Sequence, residues 1–342
     1  MTAILPVGKL PHELLERILR SAPTEGPRVL LGPGVGLDSA VLDFGENCLV
    51  VKTEPITFAS DNIGWYAVQI AVNDIATSGA LPSWAMFTLL LPEGSTTEAS
   101  LLTITDQLSN ACRSSGITII GGHTEISHSL DRPIIVTTLL AEIAKDRLIT
   151  PDQTRPGDAL IVTKGVPIEA TALLAREFPG FLQKHLTMEE LKAAQNYLLD
   201  PGISVLKDAQ TAIQAGKVTA MHDPTEGGVA TALWELAQAS QKTLLVNPDL
   251  IPISALSAKI CRAFGLNPLG TIASGSLLLC VDPLSKAAVL SALQFAGVDA
   301  AEIGTVEAGE PEVLVLHGDQ IDRLPRFDRD EIGRVYEEFT PG

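Results

Sequence analysis

Apolar residues recur at helical spacing in some stretches and run together in others, and these two patterns divide the chain into elements. Residues 11–20 (PHELLERILR) place Leu14, Leu15, Ile18 and Leu19 on one face behind a proline suited to a first helical position, which predicts a short amphipathic helix. SAVLDF and CLVVKTEPITF read as strands. A helical run from about Gly64 to Ser78 follows Asp61-Asn62 and stops at Gly79 and Pro82, with Asp61 as its expected N-cap. SWAMFTLLLPEG and RPIIVTTLLAEIA read as strands, and ITIIGGHTEIS as a strand breaking into a glycine turn. Between them, Leu101, Ile104, Leu108 and Ala111 mark a helix over residues 98–115.

The polar stretch KDRLITPDQTRPGD at 145–158 carries two prolines and predicts a domain boundary, dividing the chain into 1–148 and 149–342. The second part opens on the strand ALIVTKG and the helix IEATALLARE. Helical segments at 187–199 and 201–215 follow, then the turn MHDPTEGG and the helix ATALWELAQAS. SGSLLLCVD reads as a strand and PLSKAAVLSALQFAG as a helix. The order is mixed α and β without strict alternation, and no short repeat or low-complexity tract is present.

Length, composition and charge narrow the function classes. A chain of 342 residues suits two domains, and 46% hydrophobic residues supply a core. No stretch approaches the roughly 18 apolar residues of a membrane span, and the opening MTAILPVGKLPHE is too short an apolar run for a secretory signal. Cys48, Cys112, Cys261 and Cys280 lack CxxC spacing, which fits reduced thiols and a cytoplasmic setting. A net charge of −17 argues against nucleic acid and anionic membrane as partners. Nucleotides remain possible partners where a divalent cation screens their phosphates.

Common nucleotide signatures are missing. No GxxxxGK[ST] occurs, GPGVG at 32–36 lacks dinucleotide-fingerprint spacing, and HELLE at 12–16 lacks the second histidine of a zinc protease. Acidic residues in unusual settings remain. Asp38 follows a glycine-rich turn, which makes it either a turn aspartate or a ligand beside a close-approaching backbone. Glu54 stands at a strand end before Pro55, either as a surface residue or pointing into a cleft. Asp74 lies within a helix whose neighbours on the same face are Ala67, Ile70, Ala71, Thr77 and Ser78; a carboxylate there needs a counter-charge or a metal. Asn73 sits beside it on another face. Gly121, Gly122, His123 and Thr124 offer backbone and side-chain donors to an anion, or a simple turn. Asp223-Pro224-Thr225-Glu226-Gly227-Gly228 leads into a helix start, either an anion site or a capped N-terminus. Asp38, Glu54, Asp74 and Asp223 are hard oxygen donors suited to Mg²⁺.

Taken in order, DSAV at 38–41, KTE at 52–54, VNDIATSGA at 72–80, GGHTE at 121–125 and HDPTEGG at 222–228 resemble the aminoimidazole ribonucleotide (AIR) synthase superfamily. This PurM-like superfamily includes the hydrogenase maturation factor HypE, selenophosphate synthetase and thiamine-monophosphate kinase, and the flavour here is closest to HypE. The resemblance spans roughly residues 30–310. It implies an α/β architecture of two domains, each a mixed sheet covered by helices on one side. It also implies N-terminal domains that pair into a β-barrel, giving a homodimer with ATP near the interface. Its shared chemistry is Mg²⁺- and ATP-dependent phosphoryl transfer to an oxygen of an amide, carbonyl or phosphate substrate. By motif, Asp38, Glu54, Asp74 and Asp223 are implied as metal carboxylates. Asp74, Asp223 and His123 are implied as catalytic groups, and Lys52, Thr53, Asn73, Gly121, Gly122 and Thr124 as nucleotide-binding residues. A maturation partner protein is implied as well.

The chain departs from the pattern in places. Glu54 stands where the superfamily carries aspartate, Leu37 precedes Asp38 where a second aspartate is common, and no cysteine follows Cys280 where HypE ends in one. Cyanide-ligand synthesis on a C-terminal cysteine is therefore not expected of this sequence. A small-molecule kinase of thiamine-monophosphate kinase type and a non-catalytic nucleotide-binding accessory protein are the alternative readings.

Overall fold

The apolar runs assemble into two mixed sheets in the computed structural model, which describes residues 5, 9–10, 12–318, 320–327 and 329–339. Two compact units result. One comprises Gly26–Gly32 and Asp38–Leu148; the other comprises Pro33–Leu37, the described residues of 1–25 and those from Ile149 onward. The helix predicted at 11–20, α1 (His12–Ser21), groups with the later unit.

The first unit holds β1 (Val29–Leu31), β2 (Ala40–Phe44), β3 (Asn47–Ile56), α2 (Ile63–Thr77), β4 (Trp84–Pro92), α3 (Glu98–Ser114), β5 (Thr118–Ser127) and β6 (Ile134–Ala144). Its strand order is β1-β2-β3-β6-β4-β5. β4 and β5 run parallel, so α3 is their crossover. One sheet face carries Val50, Ala85, Phe87, Leu89, Ile135 and Leu139 under α2 and α3. The other face, with Leu49, Val51, Met86, Leu90, Val136 and Leu140, is half-buried or exposed. α2 is buried on nearly every side, which explains its weak amphipathicity.

Two local expectations change here. The N-cap of α2 is Asn62 in the left-handed region, φ 54°, and not Asp61. Asparagine tolerates that conformation, and the first-turn N–H of Gly64 donates to Gln107 Oε1 of α3 at 3.0 Å. No side-chain cap is then needed. GGHTE does not form a turn: Gly121 to Glu125 lie inside β5, an edge strand paired with β4 throughout. The irregularity there is a register shift between Ala85 and Met86, which leaves Ile120 as the extra residue.

The second unit contains β7 (Ala159–Thr163), α4 (Ile168–Glu177), α5 (Pro179–Leu182), α6 (Met188–Asn196), α7 (Leu206–Ala215), β8 (Val218–His222), α8 (Gly228–Ser240), β9 (Thr243–Val246) and α9 (Ala255–Phe264). β10 (Leu278–Val281), α10 (Lys286–Phe295), β11 (Ala300–Glu307), β12 (Glu312–His317), β13 (Gln320–Arg323) and α11 (Ile332–Glu338) complete it. The sheet order is β13-β12-β9-β11-β7-β10-β8. Leu160, Val162, Ala220, Leu278 and Cys280 face Val229, Leu233 and Leu236 of α8. On the opposite face Thr163 Oγ1 donates to Asp208 Oδ2 of α7 at 2.6 Å. Helices thus cover both faces of this sheet, whereas one-sided cover was expected. β7, β8 and β10 are accordingly buried at every residue. Among the described residues no helix is long and apolar enough to cross a membrane.

Candidate active site

Strand periodicity decides which predicted residues meet. On β3 the even positions Cys48, Val50, Lys52, Glu54 and Ile56 share the face beneath α2, while Thr53 points the other way and is exposed. Thr53 Oγ1 instead accepts from Thr138 Oγ1 across the ladder at 3.3 Å. Asp74 descends from the last turn of α2 onto the even face. Lys52 Nζ lies 2.9 Å from Asp74 Oδ1 and 3.1 Å from Glu54 Oε2. Asp38, just before β2, acts electrostatically on both Lys52 and Asp74. Lys52, Glu54, Asp74 and Asp38 therefore form one cluster within the first unit.

The cluster is electrostatically loaded. Asp74 is only 4% exposed. It also sits near a helix C-terminus, where the macrodipole disfavours negative charge. Burial raises its pKa to about 8, Glu54 and Asp38 add to the rise, and Lys52 opposes it. Lys52 is held well above the ordinary lysine value: Asp74, Glu54 and Asp38 together outweigh the opposing cost of its burial. Three carboxylates facing one ammonium are short of positive charge. Asp74 Oδ2 is buried and has no hydrogen-bond partner among the described residues. Hard oxygens, excess negative charge and an unsatisfied lone-pair donor match what a divalent cation such as Mg²⁺ takes. Thr137, across the ladder from Glu54, is fully buried with its hydroxyl likewise unsatisfied, and no sequence motif flagged it.

Asn73 is fully buried on α2 beside Asp74. Gly121, Gly122, His123 and Thr124 stand on exposed β5, three ladder steps or roughly 14 Å from β3. His123 Nε2 is 3.0 Å from Glu125 Oε2 on the solvent side.

Asp223 belongs to the second unit and is 1% exposed at the end of β8. Its neighbour His222 is paired with Glu235 Oε2 of α8 at 3.0 Å. The HDPTEGG turn is not an open anion site. Gly227 Nα–H donates to Asp330 Oδ2 at 2.5 Å, so a carboxylate of the chain itself caps the start of α8. Gly228, at φ +63°, has no room for a Cβ because Leu269 O would lie 2.5 Å from it.

Beside this clasp lies Glu169, in the first turn of α4. Both Glu169 and Ser274 are buried. Burial raises the Glu169 pKa to about 8, Ser274 opposes the rise, and Glu226 and Asp330 add to it. Folded Glu169 keeps its proton well above the ordinary value of 4.5. Its stabilising contribution is complete below pH 4.5 and is lost as pH rises toward about 8. Glu169→Gln is therefore expected to flatten the fall in stability between pH 5 and 9. The two unfolding curves should separate by up to on the order of 4 kcal/mol at the alkaline end. Parallel curves in urea titrations across that range would contradict the assignment.

Comparison with known proteins follows the same division. The AIR synthase related N-terminal domain model matches residues 36–143, and the C-terminal domain model matches residues 155–317. A putative hydrogenase expression/formation protein of Methanocaldococcus jannaschii is 32% identical over 258 residues, covering 72% of this chain and 73% of that protein. The carbamoyl dehydratase HypE of Rhizobium leguminosarum bv. viciae is 30% identical over 261 residues, covering 75% and 71%. A crystal structure of the hydrogenase maturation protein HypE in complex with ATP superposes with a TM-score of 0.70 at 24% identity, over 92% of this chain and 94% of that one. The domain models and the relatives agree: this chain belongs to the AIR synthase related protein family.

Proposed function

We propose that the chain is a HypE-like, ATP-dependent enzyme that transfers the γ-phosphoryl group of ATP to an oxygen of an amide, carbonyl or phosphate substrate. The observation that carries this reading is the first-unit cluster, where Asp38, Glu54 and Asp74 surround Lys52 and Asp74 Oδ2 is left unsatisfied. The HypE relative and the ATP complex of the shared fold support it.

Asp38, Glu54 and Asp74 would hold Mg²⁺, which when bound supplies charge neutralisation for the triphosphate. Lys52, emerging from the same face, would bind a phosphate oxygen. Asn73, packed beside Asp74, would fix the end of α2 from which Asp74 projects. The buried face beneath α2 limits water, which strengthens each electrostatic contact. In the transfer itself the acceptor oxygen forms its bond to phosphorus as the bridging bond to ADP breaks. Asp223, buried in the second unit, is proposed to act in the same reaction.

Gly121, Gly122, His123 and Thr124 take their proposed part from edge strand β5. Its exposed Ile119, Ile120 and Ile126 and the bare sheet face beside it suit pairing with a second copy into a homodimer. The M. jannaschii relative, a putative hydrogenase expression/formation protein, supports a place in hydrogenase maturation, in which a partner protein is proposed to take part.

Calorimetric titration of ATP into metal-free protein tests the reading. Saturable binding is expected only when Mg²⁺ is present. Equal binding with and without Mg²⁺, or none in either condition, would refute it.

A further inference from the structure

The proposed nucleotide site contains a cation already, and it is a side chain. Lys52 Nζ contacts Asp74 Oδ1 at 2.9 Å and Glu54 Oε2 at 3.1 Å, on two of the carboxylates that would hold the metal ion. Its stem is fixed on β3 by the strand alternation that places Glu54 two residues on, and its side chain is 20% exposed. We propose that Lys52 is an internal counterion that blocks divalent-metal binding until nucleotide phosphates draw its ammonium away, so that metal and nucleotide bind as one coupled event. This inference rests on the metal-nucleotide reading of the cluster.

Charge and geometry make the case together. Lys52 touches Asp74 and Glu54 and feels the charge of Asp38, so one ammonium stands among three carboxylates that attract a divalent ion. An ion at coordination distance from Asp74 and Glu54 oxygens would stand beside the ammonium that now touches both. Like charges at that separation repel strongly in a buried setting. Either the ion is excluded or the ammonium moves. Lysine moves readily, because its head is a point charge on a flexible four-carbon stem. It leaves only for another anion, since a desolvated ammonium without a partner is costly. A triphosphate provides that anion. Each ligand therefore binds more tightly once the other is present, by the same factor in both directions.

The same arrangement gives Glu54 a role that its motif position did not suggest. Its longer side chain reaches the ammonium from the neighbouring same-face position, so Lys52 is held from two sides, by β3 and by α2.

Mn²⁺ binding to the full chain, followed by electron paramagnetic resonance with and without a non-hydrolysable ATP analogue, tests the proposal. In the native protein Mn²⁺ alone should bind weakly, and the analogue should tighten it at least thirtyfold. Lys52→Gln should bind Mn²⁺ alone at least tenfold more tightly than native, with the analogue adding less than threefold. Lys52→Arg keeps the charge and should keep the native coupling. Should Lys52→Gln need metal to fold, its melting temperature will rise with Mn²⁺ alone while the native one does not, which supports the same conclusion. If the native protein shows strong coupling and Lys52→Gln matches it, the counterion role fails while the metal site stands. No Mn²⁺ binding in any protein or condition overturns both.

Discussion

Asp74→Asn is expected to reduce Mg²⁺-dependent ATP affinity by at least a hundredfold while leaving the fold intact. Asparagine has the shape of aspartate, so α2 keeps its packing against β3, β6 and α3. What changes is charge: the cluster falls from three carboxylates to two, and its most buried hard ligand is lost. Lys52 retains Glu54 as a partner at 3.1 Å, so no ammonium is stranded. Stability should hardly fall, because the wild-type carboxyl is itself disfavoured by burial, as its raised pKa shows. Calorimetry and a thermal melt on one preparation separate these effects. ATP binding at native strength, still dependent on Mg²⁺, would remove Asp74 from the site.

Gly122→Val is expected to destabilise the first unit by roughly 3–5 kcal/mol, while Gly121→Ala next to it is nearly silent. A Cβ on Gly122 would lie 2.1 Å from Phe87 O and 3.1 Å from Phe87 N, so the parallel β4–β5 ladder must open. A Cβ on Gly121 meets only the flexible side chain of Met86, at 3.8 Å and beyond. If β5 is the pairing edge of a homodimer, Gly122→Val should also shift sedimentation toward monomer where Gly121→Ala does not. Equal melting temperatures for the two variants would contradict the close-approach explanation. A native protein that sediments as a monomer would remove the dimer proposal.

The glycine pair also shows where sequence reading reached and where it stopped. Adjacent glycines are compatible with a turn, an anion loop or a tight strand contact. Choosing among them requires the register of β5 on β4, a pairing between distant segments. Strands marked by apolar runs, such as β3, β4 and β6, and the helix IEATALLARE were legible because burial alone writes their pattern. The sequence pattern marks no element at β1, α5, β8, β9 or α9, nor any after α10. β9 and β13 are short, and β11 mixes polar with apolar positions, so local periodicity marks them weakly.

For the site, Asp74 stood out as a carboxylate among small and apolar residues, and its burial agrees with that. The even spacing of Lys52 and Glu54 puts both on one strand face and Thr53 on the other, a separation that the motif KTE conceals when its three residues are grouped as neighbours. Glu169, Asp330 and Thr137 could not have been found. Each matters through neighbours remote in sequence, as when Asp330 accepts from Gly227 across 103 residues.

That clasp sets an order of events during synthesis. The start of α8 leaves the ribosome long before its carboxylate cap exists. At ~5–20 residues per second, the 103 residues between Gly227 and Asp330 take roughly 5–20 s to make. Throughout that interval the α8 N-terminus must rely on water or on a transient anion. The second unit is in this respect a latch whose bolt is forged last, so a chain released early would carry an unclosed helix end.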